Sequence, residues 1–319
     1  MRIAVAQGQL LESILDLTHP TWGEGLSREA YGKWNRAQLR TRFGRDRLQR
    51  VALIDDDGRL LATAKRYRFN ARLDGRDGIV LGIAAVFTPP ELRGAGHARA
   101  LITQLIEEAR RAGALAAVLF SEIGASFYER LGFSVVPLDE VTVEVELKGG
   151  APAMLVRAGD DRDIPDVVAM DRIRSAAARF ALRRDASLFQ YALTRKRLLA
   201  GLGPSGLRQV EFFVAEEGAS AVAYVLLSVN RNGWTLEEAG DRDPAGARLG
   251  AMLQVLAARE PSQRAPLIRT WWPRSFVVPP QLRLSNRGDS RDLLMVRSLV
   301  EPSRPLTADD IFYWRSDYF

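Results

Sequence analysis

Residues Ile83 to Ala112 read IAAVFTPPELRGAGHARALITQLIEEARRA, and the spacing of the apolar positions changes once along this segment. The apolar run Ile79 to Phe87, closed by a threonine and two prolines, is typical of a buried strand. After a short polar turn, Leu101, Leu105 and Ile106 recur at helical spacing among charged residues. The segment therefore predicts a strand, a glycine-containing turn and a helix, in that order.

The predicted turn has the features of an anion-binding site. The first amides of a helix have no partner within the helix, and the helix dipole favours negative charge beside them. Gly94 and Gly96 lack the Cβ atoms that would keep a ligand away from these amides. A dinucleotide loop does not fit, because Arg99 stands at its third glycine position, and the Gly-Lys-Ser/Thr of a Walker loop is absent. The turn is therefore expected to bind an anion of another kind.

A second motif follows the predicted helix. The strand pattern Ala114 to Phe120 precedes Ser121 to Phe133, which read SEIGASFYERLGF. The turn, with its pattern Arg93-x-x-Gly96-x-Ala98, resembles the acetyl-CoA pyrophosphate loop of the GNAT acyltransferases. The second motif is similar to the end of the GNAT core, where a helix carries a tyrosine and a Gly-Phe pair starts the next strand. The two motifs in the family's order are far more specific than either alone.

The resemblance implies a GNAT fold, an α/β (α+β) unit with a mixed sheet, for the first half of the chain. We place this catalytic domain at residues 1–148, with Val141 to Leu147 as its last strand. A linker of glycine, alanine and proline follows at residues 149–152. The same order of predicted elements then restarts. We therefore expect tandem GNAT folds, the second over residues 153–300, with a late strand at Asp292 to Ser298.

The second copy is expected to be degenerate, because its counterpart of the anion-binding turn differs in charge. Residues Ala239 to Gly246 read AGDRDPAG. Asp241 and Asp243 would repel a diphosphate, and Pro244 has no amide hydrogen to donate. We therefore expect no CoA site in this copy, and a structural or acceptor-shaping role instead.

The composition bounds the class of protein. A length of 319 residues suggests two domains, and 47% apolar with 26% charged residues is typical of a globular protein. No apolar run is long enough for a transmembrane helix, and the N-terminus does not resemble a secretion signal, so a cytoplasmic protein is expected. Cysteine is absent and there are only two histidines, which argues against disulfides, a thiol nucleophile and metal sites built from these residues.

The net charge is +6, and the densest basic cluster lies between Arg36 and Arg50. We interpret the cluster as a solvated helix end, because it lacks the interleaved aromatic residues or the reading helix of a nucleic-acid surface. No nucleic-acid or membrane partner is therefore expected, although a mildly positive field would attract a polyanionic cofactor. The sequence leaves a monomer and a homodimer open.

The resemblance implies acetyl-CoA as the cosubstrate, no metal, and roles for residues of both motifs. A backbone amide near Val86 or Phe87 would donate to the thioester carbonyl. Tyr128 matches the family's general acid, which protonates the leaving thiolate. Ser121 stands where many family members have an asparagine. The expected cofactor-binding residues are Val86, Phe87, Thr88, Arg93, Gly94, Ala95, Gly96, His97, Ala98, Arg99 and Ser121.

The general base is harder to assign, because the strand before the loop lacks the glutamate that many GNATs carry there. Glu122, and Trp22 with Glu24 in a predicted loop, are candidates for binding the acceptor. The tail, residues 301–319, is rich in aromatic residues and is therefore expected to dock toward the active site. In Eis-type enzymes, whose layout this chain resembles, a terminal phenylalanine carboxylate is thought to act as the base. Phe319 is therefore a candidate catalytic residue, and a purely hydrophobic clasp is the alternative.

The function implied is an acetyl-CoA-dependent N-acetyltransferase that acetylates a primary amine of a small molecule. The lysine side chain is one candidate acceptor, since both motifs resemble lysine side-chain N-acetyltransferases most closely. The alternatives are an aminoglycoside or protein amine as acceptor, or a non-catalytic regulator that binds acyl-CoA.

Overall fold

The structure is a computed structural model that describes residues 1–146, 154–259, 266–301 and 304–319. The predicted linker, residues 149–152, lies outside the described residues. The chain forms two compact units, and each is assembled from separate segments. The first unit comprises Met1–Val136, Arg291–Pro305 and Phe319, and the second comprises Pro137–Ser290 and Leu306–Tyr318.

The first 136 residues form helices and strands close to the predicted ones. In chain order these are β1 (Arg2–Val5), α1 (Gly8–Trp22), α2 (Arg28–Arg40), α3 (Arg42–Arg47), β2 (Leu48–Ile54), β3 (Leu60–Leu73), β4 (Arg76–Phe87), α4 (His97–Arg111), β5 (Ala116–Ser121), α5 (Ser126–Glu129) and β6 (Ser134–Val136).

The remainder of the chain adds a second series of elements. These are β7 (Asp139–Val145), β8 (Val156–Ala158), α6 (Ile164–Arg174), β9 (Phe180–Leu182), α7 (Ala186–Leu202), β10 (Arg208–Glu217), β11 (Ser220–Asn230), β12 (Gly233–Asp241), α8 (Ala247–Ala258), β13 (Ile268–Trp271), β14 (Leu282–Asp289), β15 (Leu293–Ser298) and β16 (Ile311–Phe312). No helix within the described ranges is both long and apolar enough to cross a membrane.

The sheet of the first unit has the strand order β1-β2-β3-β4-β5-β15-β6. Neighbouring strands are antiparallel except β4 and β5, which run parallel from Val80 opposite Ala116 to Ile83 opposite Leu119. One face of this sheet packs on α4, whose Leu101 and Leu105 are buried against it. The mixed sheet confirms the predicted α/β class.

The sheet of the second unit has the order β8-β10-β11-β12-β13-β7-β14, again with one parallel pair, β12 and β13. The short strands β9 and β16 pair with each other in parallel. Its apolar core includes Leu236 of β12 and Met252 and Leu253 of α8. The sequence analysis missed β9 and β14. Both are hard to find from local pattern, since β9 has three residues and β14 is largely polar.

Two strands were assigned to the wrong sheet. Val141 to Leu147 was expected to complete the first domain, but β7 pairs with β13 and β14 of the second unit. Asp292 to Ser298 was expected in the second copy, but β15 lies between β5 and β6 of the first unit. The physical reason is that alternation of apolar residues specifies a strand and its buried face, but not which strand it pairs with.

The predicted loop at residues 19–25 was also partly wrong, because α1 continues through Pro20 to Trp22. A proline removes its own amide donor and its ring crowds the carbonyl four residues earlier, but α1 ends only two residues after Pro20, so few helical hydrogen bonds are affected. The turn that follows is held from both sides. The His19 Nε2 atom hydrogen-bonds the Leu26 carbonyl at 2.9 Å, and the Leu26 amide donates to the Gly23 carbonyl at 2.8 Å.

Candidate functional site

The site begins at an irregularity near the end of β4. On this strand Ala84 pairs with Lys65, but Phe87 pairs with Thr63, so two residues of β4 oppose one residue of β3. Ala85, within this bulge, has a φ of +48°, which a non-glycine residue rarely adopts. A bulge leaves its extra residue outside the regular ladder and bends the strand. The bulge therefore takes the backbone at Ala85 and Val86 out of the regular ladder, near the position where an amide donor was expected, at Val86 or Phe87.

The loop after β4 leads directly into the N-terminus of α4. Gly94 and Gly96 have φ values of +83° and +81°, and a Cβ built on either would meet no atom within 4 Å. Gly96 occupies the N-cap, no side chain caps the helix, and its first turn contains no acidic residue. The first amides of α4 are therefore left for a ligand.

Arg93 is oriented by contacts at the base of this loop. Its Nε donates to the Thr88 carbonyl at 3.3 Å, and its guanidinium lies 5.9 Å from the centroid of the Phe87 ring. The side chain itself is exposed. It therefore adds a positive charge beside the free amides of α4.

Both predicted motifs line one cavity of about 540 Å³. The residues expected to bind the cofactor that line it are Val86, Thr88, Arg93, Gly94, Gly96, His97, Ala98 and Arg99. Tyr128 lines the same cavity, and Ile123, Phe127 and Leu131 add apolar surface. The sequence analysis did not single out these three apolar residues, although they flank the tyrosine in the second motif.

Tyr128 is held by the one-turn helix α5 and by the glycine turn after it. The amides of Leu131 and Phe133 both donate to the Tyr128 carbonyl, at 2.9 and 3.1 Å. Burial, assisted by the negative charge of Glu122, raises the pKa of the Tyr128 hydroxyl to about 12. The hydroxyl therefore holds its proton at neutral pH, as a general acid must.

Ser121 and Glu122 lie differently with respect to this cavity. Ser121 is buried, and its hydroxyl donates to the Gly124 carbonyl at 2.6 Å, which closes the turn before α5. Glu122 is exposed and acts on Tyr128 through its charge. The binding roles of both residues stay predictions.

Trp22 lies against the residue that ends β4. Its ring meets the Phe87 ring edge-on, with a centroid distance of 6.0 Å. Glu24 is exposed in the turn after α1, with a φ of +53°. Trp22 is therefore next to the base of the loop, and the acceptor-binding roles of both residues stay predictions.

Phe319 packs its ring within the first unit. The ring centroid lies 5.1 Å from that of Tyr67, 4.9 Å from that of Phe69 and 5.5 Å from that of Phe120. The terminal ring is thus docked on aromatic residues of β3 and β5. Its catalytic role stays a prediction.

The residues just before Phe319 are anchored in the second unit by a buried charge network that local sequence does not reveal. Arg184 Nη2 donates to Asp317 Oδ1 at 2.6 Å and to the Ser316 hydroxyl at 2.9 Å. Ser316 in turn donates to Glu238, which also forms an ion pair with Arg184. The Trp314 amide closes the turn by donating to Asp317. These contacts fix the backbone that leads to the C-terminus.

In the second unit, the loop before α8 is partnered internally. Gly246 has a φ of +69° at the N-cap of α8, as Gly96 has at that of α4. The buried carboxylate of Asp241 accepts hydrogen bonds from the amides of Asp243 at 2.7 Å and Leu249 at 2.8 Å. Asp241 thus satisfies amides that a phosphate would otherwise bind. Within the described ranges, no three His, Cys, Asp or Glu side chains are grouped so that they could hold a metal ion.

Residues 24–136 match the family model of the acetyltransferase (GNAT) domain. No curated protein matches the chain in sequence. Its fold is similar to that of a conserved protein of unknown function and probable N-acyltransferase from Enterococcus faecalis, with a TM-score of 0.68, 14% identity, and coverage of 93% of this chain and 72% of that one. It is also similar to a GCN5-related N-acetyltransferase from Kribbella flavida, with a TM-score of 0.63, 19% identity, and coverage of 93% of this chain and 70% of that one. The similarity to Eis1 from Mycobacterium abscessus has a TM-score of 0.58 and 13% identity, and covers 94% of this chain and 74% of that one.

Residues 24–136 of the first unit thus match an acetyltransferase (GNAT) domain, and the fold of the chain is similar to that of solved proteins described as a probable N-acyltransferase and an N-acetyltransferase. The resemblance inferred from the loop and the tyrosine motif agrees with this partial match, and the predicted fold is confirmed.

Proposed function

We propose that the protein is an acetyl-CoA-dependent N-acetyltransferase that acetylates a primary amine of a small molecule. The observation that carries the proposal is that the free amides of α4 and the protonated hydroxyl of Tyr128 belong to one cavity. A binder of acyl-CoA without activity would need the amides but would not need an acid at the thiol.

The residues of the loop fit a CoA pyrophosphate. The space beside Gly94 and Gly96 is open, the first-turn amides of α4 are uncapped, and Arg93 adds a positive charge. Anions bind to such helix N-termini because the amides and the helix dipole act together. When bound, acetyl-CoA would supply the acetyl group as a thioester.

The chain's own groups have two tasks at the reacting carbonyl. An amide released by the bulge at Ala85 and Val86 is a donor for the oxygen on which negative charge develops during acyl transfer. Tyr128 holds a proton at its hydroxyl for the departing thiolate. We assign Ser121 a supporting role through the turn that it closes before α5.

The acceptor amine must lose a proton before it can attack. A lysine-like amine has a pKa of about 10.4, so the neutral form costs roughly 4–5 kcal/mol at pH 7. We propose the Phe319 carboxylate as the group that receives this proton or holds the amine. The support is the docked position of its ring on β3 and β5. We further propose that Trp22, Glu24 and Glu122 border the acceptor.

We propose that the second unit is a degenerate copy without a CoA site. Its sheet has a strand order like that of the first unit, with one parallel pair, β12 and β13. Along the chain, β12 is followed by a loop, by Gly246 with a positive φ, and by α8. Asp241 supports the loss of the site, because its carboxylate occupies the amides that would receive a phosphate and would repel one.

Thiol release from acetyl-CoA, measured with a panel of amines, tests the function. The panel contains lysine, polyamines, aminoglycosides and a lysine-containing peptide, and mass spectrometry identifies the acetylated product. We expect amine-dependent release with a small-molecule amine. Release only with the peptide would favour a protein acceptor, and CoA binding without release for any amine would favour the regulator.

A further inference from the structure

The first unit contains a buried arginine with unpaired donors. Arg50 on β2 is only 3% exposed. Its Nε donates to the Thr63 hydroxyl at 3.1 Å. Its two terminal nitrogens, Nη1 and Nη2, have no hydrogen-bond partner among the residues that the structure describes. The Nη1 and Nη2 donors of Arg50 are therefore buried, and no residue that the structure describes pairs with them.

Such an arrangement is costly for a protein that has no use for it. A buried charge without a partner strongly destabilises the folded state, so buried arginines are normally paired. Burial lowers the pKa of Arg50 to about 10, which still leaves the side chain charged at neutral pH. The groups that oppose this shift are the hydroxyls of Tyr31 and Tyr67, neither of which is a carboxylate counter-ion. The Nη1 and Nη2 donors of Arg50 are therefore suited to binding an anion that is not among the described residues.

Arg50 lies on the face of the sheet that carries the proposed acceptor side. Cross-strand partners share a face, and Thr63, which holds the Arg50 Nε, is the partner of Phe87 at the end of β4. Phe87 contacts Trp22 on this face. Tyr67, two residues from Lys65 and therefore on the same face, touches the Phe319 ring. The opposite face carries the core under α4.

A second cation stands directly beside Arg50. Lys65 is the cross-strand partner of Arg50, so both side chains leave the sheet on the same side. The Lys65 ammonium lies 3.2 Å from the Gln38 amide oxygen and 5.5 Å from the centroid of the Trp34 ring. It is half-buried and adds positive charge without neutralising Arg50. The local field on this face therefore favours an anionic group.

We propose that Arg50 binds a carboxylate of the acceptor, so that the substrates are small amines that also carry a carboxylate, such as free amino acids. The inference rests on the proposed function and narrows its acceptor class. Two terminal nitrogens in one plane match the two oxygens of a carboxylate, which is the geometry that arginine binds best. Arg50 would then determine specificity, while the chemistry stays with the groups at the end of β4.

The test compares lysine with cadaverine, which has the same amine and chain but no carboxylate. Wild type and Arg50→Met are titrated with each, in the presence of CoA, and thiol release is measured with each as acceptor. Arg50→Met keeps the length of the stem and removes the charge. We expect the Kd and KM for lysine to rise by roughly tenfold to a hundredfold in the variant, with cadaverine unchanged.

Two further measurements, the melting temperature and the binding of O-phosphoethanolamine, separate the inference from its alternatives. The melting temperature of ligand-free Arg50→Met should equal or exceed that of wild type, because an unpaired buried charge is removed. A fall in melting temperature with unchanged lysine affinity would make Arg50 structural and overturn the inference. Equal lysine affinity in both proteins, or no lysine binding to wild type, would overturn it as well. If O-phosphoethanolamine binds in an Arg50-dependent way and lysine does not, Arg50 binds a phosphate, and the inference of a carboxylate is wrong.

Failure of the proposed function gives a different result. If lysine binds in an Arg50-dependent way but no amine releases thiol from acetyl-CoA, the acetyltransferase assignment fails and the carboxylate site stands.

Discussion

Gly82 on β4 and Phe319 at the C-terminus fit each other. A Cβ built on Gly82 would come 2.5 Å from the Phe69 ring and 3.0 Å from the Phe319 ring, so the missing side chain leaves room for both rings. The Phe319 ring is packed in addition on Tyr67 and Phe69 of β3. The terminal residue thus has a defined position on β4, the strand that leads to the proposed CoA-binding loop.

This position allows the carboxylate and the ring of Phe319 to be tested separately. Appending two glycines keeps the ring and moves the terminal charge, whereas deleting Phe319 removes both. If the carboxylate acts on the amine, the extended protein should lose activity while its melting temperature and CoA affinity stay at the wild-type values. Steady-state thiol release and a thermal melt measure this.

The control is the deletion, which should also lower stability, because it removes a ring that packs on three aromatic neighbours. If the extended protein has the wild-type rate, the Phe319 carboxylate has no catalytic role and the residue serves only as a hydrophobic clasp.

The loop assignment predicts that Gly96→Glu abolishes CoA binding. The substitution adds bulk and a negative charge at the N-cap of α4, where the phosphates would lie. Gly113→Glu is the matched control, because Gly113 also has a positive φ, +77°, and open space around it, but stands just after the other end of α4. Calorimetry should give one CoA per chain for wild type and the control. A Gly96→Glu protein that is folded and binds CoA within a few-fold of wild type would exclude the loop.

Because β15 belongs to the sheet of the first unit and β7 to that of the second, we predict that residues 1–148 do not fold alone. Such a fragment lacks β15, which joins β5 to β6 and buries Leu294 and Met295. Joining residues 291–301 to the end of β6 through a flexible linker should restore cooperative unfolding. Circular dichroism during a urea titration compares the two proteins. A cooperative transition in the shorter fragment would contradict the account of the sheet.

Asp171 in the second unit predicts an unusual pH dependence of stability. Burial, opposed by Arg184, raises the pKa of its carboxyl to about 7. Between roughly pH 4 and 7 the unfolded chain therefore binds fewer protons than the folded protein, and this group lowers stability as the pH rises. Asp171→Asn cannot ionise, so it should be more stable than wild type at pH 8, by about 1–4 kcal/mol, with the difference shrinking toward pH 4.

Asp163→Asn is the control with the opposite sign. Burial opposes ionisation there, but the hydrogen bonds from Arg157 hold the pKa of Asp163 below its ordinary value. Its stabilising contribution is present at neutral pH and is lost as the pH falls through that lowered pKa. Urea titrations at several pH values should therefore show a loss of stability at pH 8 for Asp163→Asn. The same loss for Asp171→Asn would contradict the argument.

The parts of the fold that follow from local sequence were predicted well. The glycine loop before α4 and the tyrosine motif are each one short segment of the sequence. Their residue types favour the local backbone geometry directly, as the positive φ values at Gly94 and Gly96 show. The pairing of β7 and β15 was not predictable, because each strand pairs with strands far away in sequence, β7 with Ile268–Trp271 and β15 with Ala116–Ser121.

The acceptor side shows the same limit. Arg50 lies in a basic cluster that was interpreted as a solvated helix end, yet its side chain is buried. Only the strand register shows that Arg50 faces the same side as Phe87 and Phe319. Burial of a single charged residue depends on neighbours far away in sequence, such as Tyr31 and Tyr67, and so leaves no local signal.

The central claim is that Tyr128 and the amides of α4 serve a single acyl transfer, and Tyr128→Phe tests it most directly. Phenylalanine keeps the ring and its packing on Phe127 and Phe133 but removes the proton that Tyr128 holds. The rate of thiol release at saturating acetyl-CoA and amine, measured in a single turnover, should fall by roughly 10²–10⁴-fold, while the Kd for CoA stays within twofold of wild type. An unchanged single-turnover rate would contradict the claim and leave Tyr128 as a packing residue.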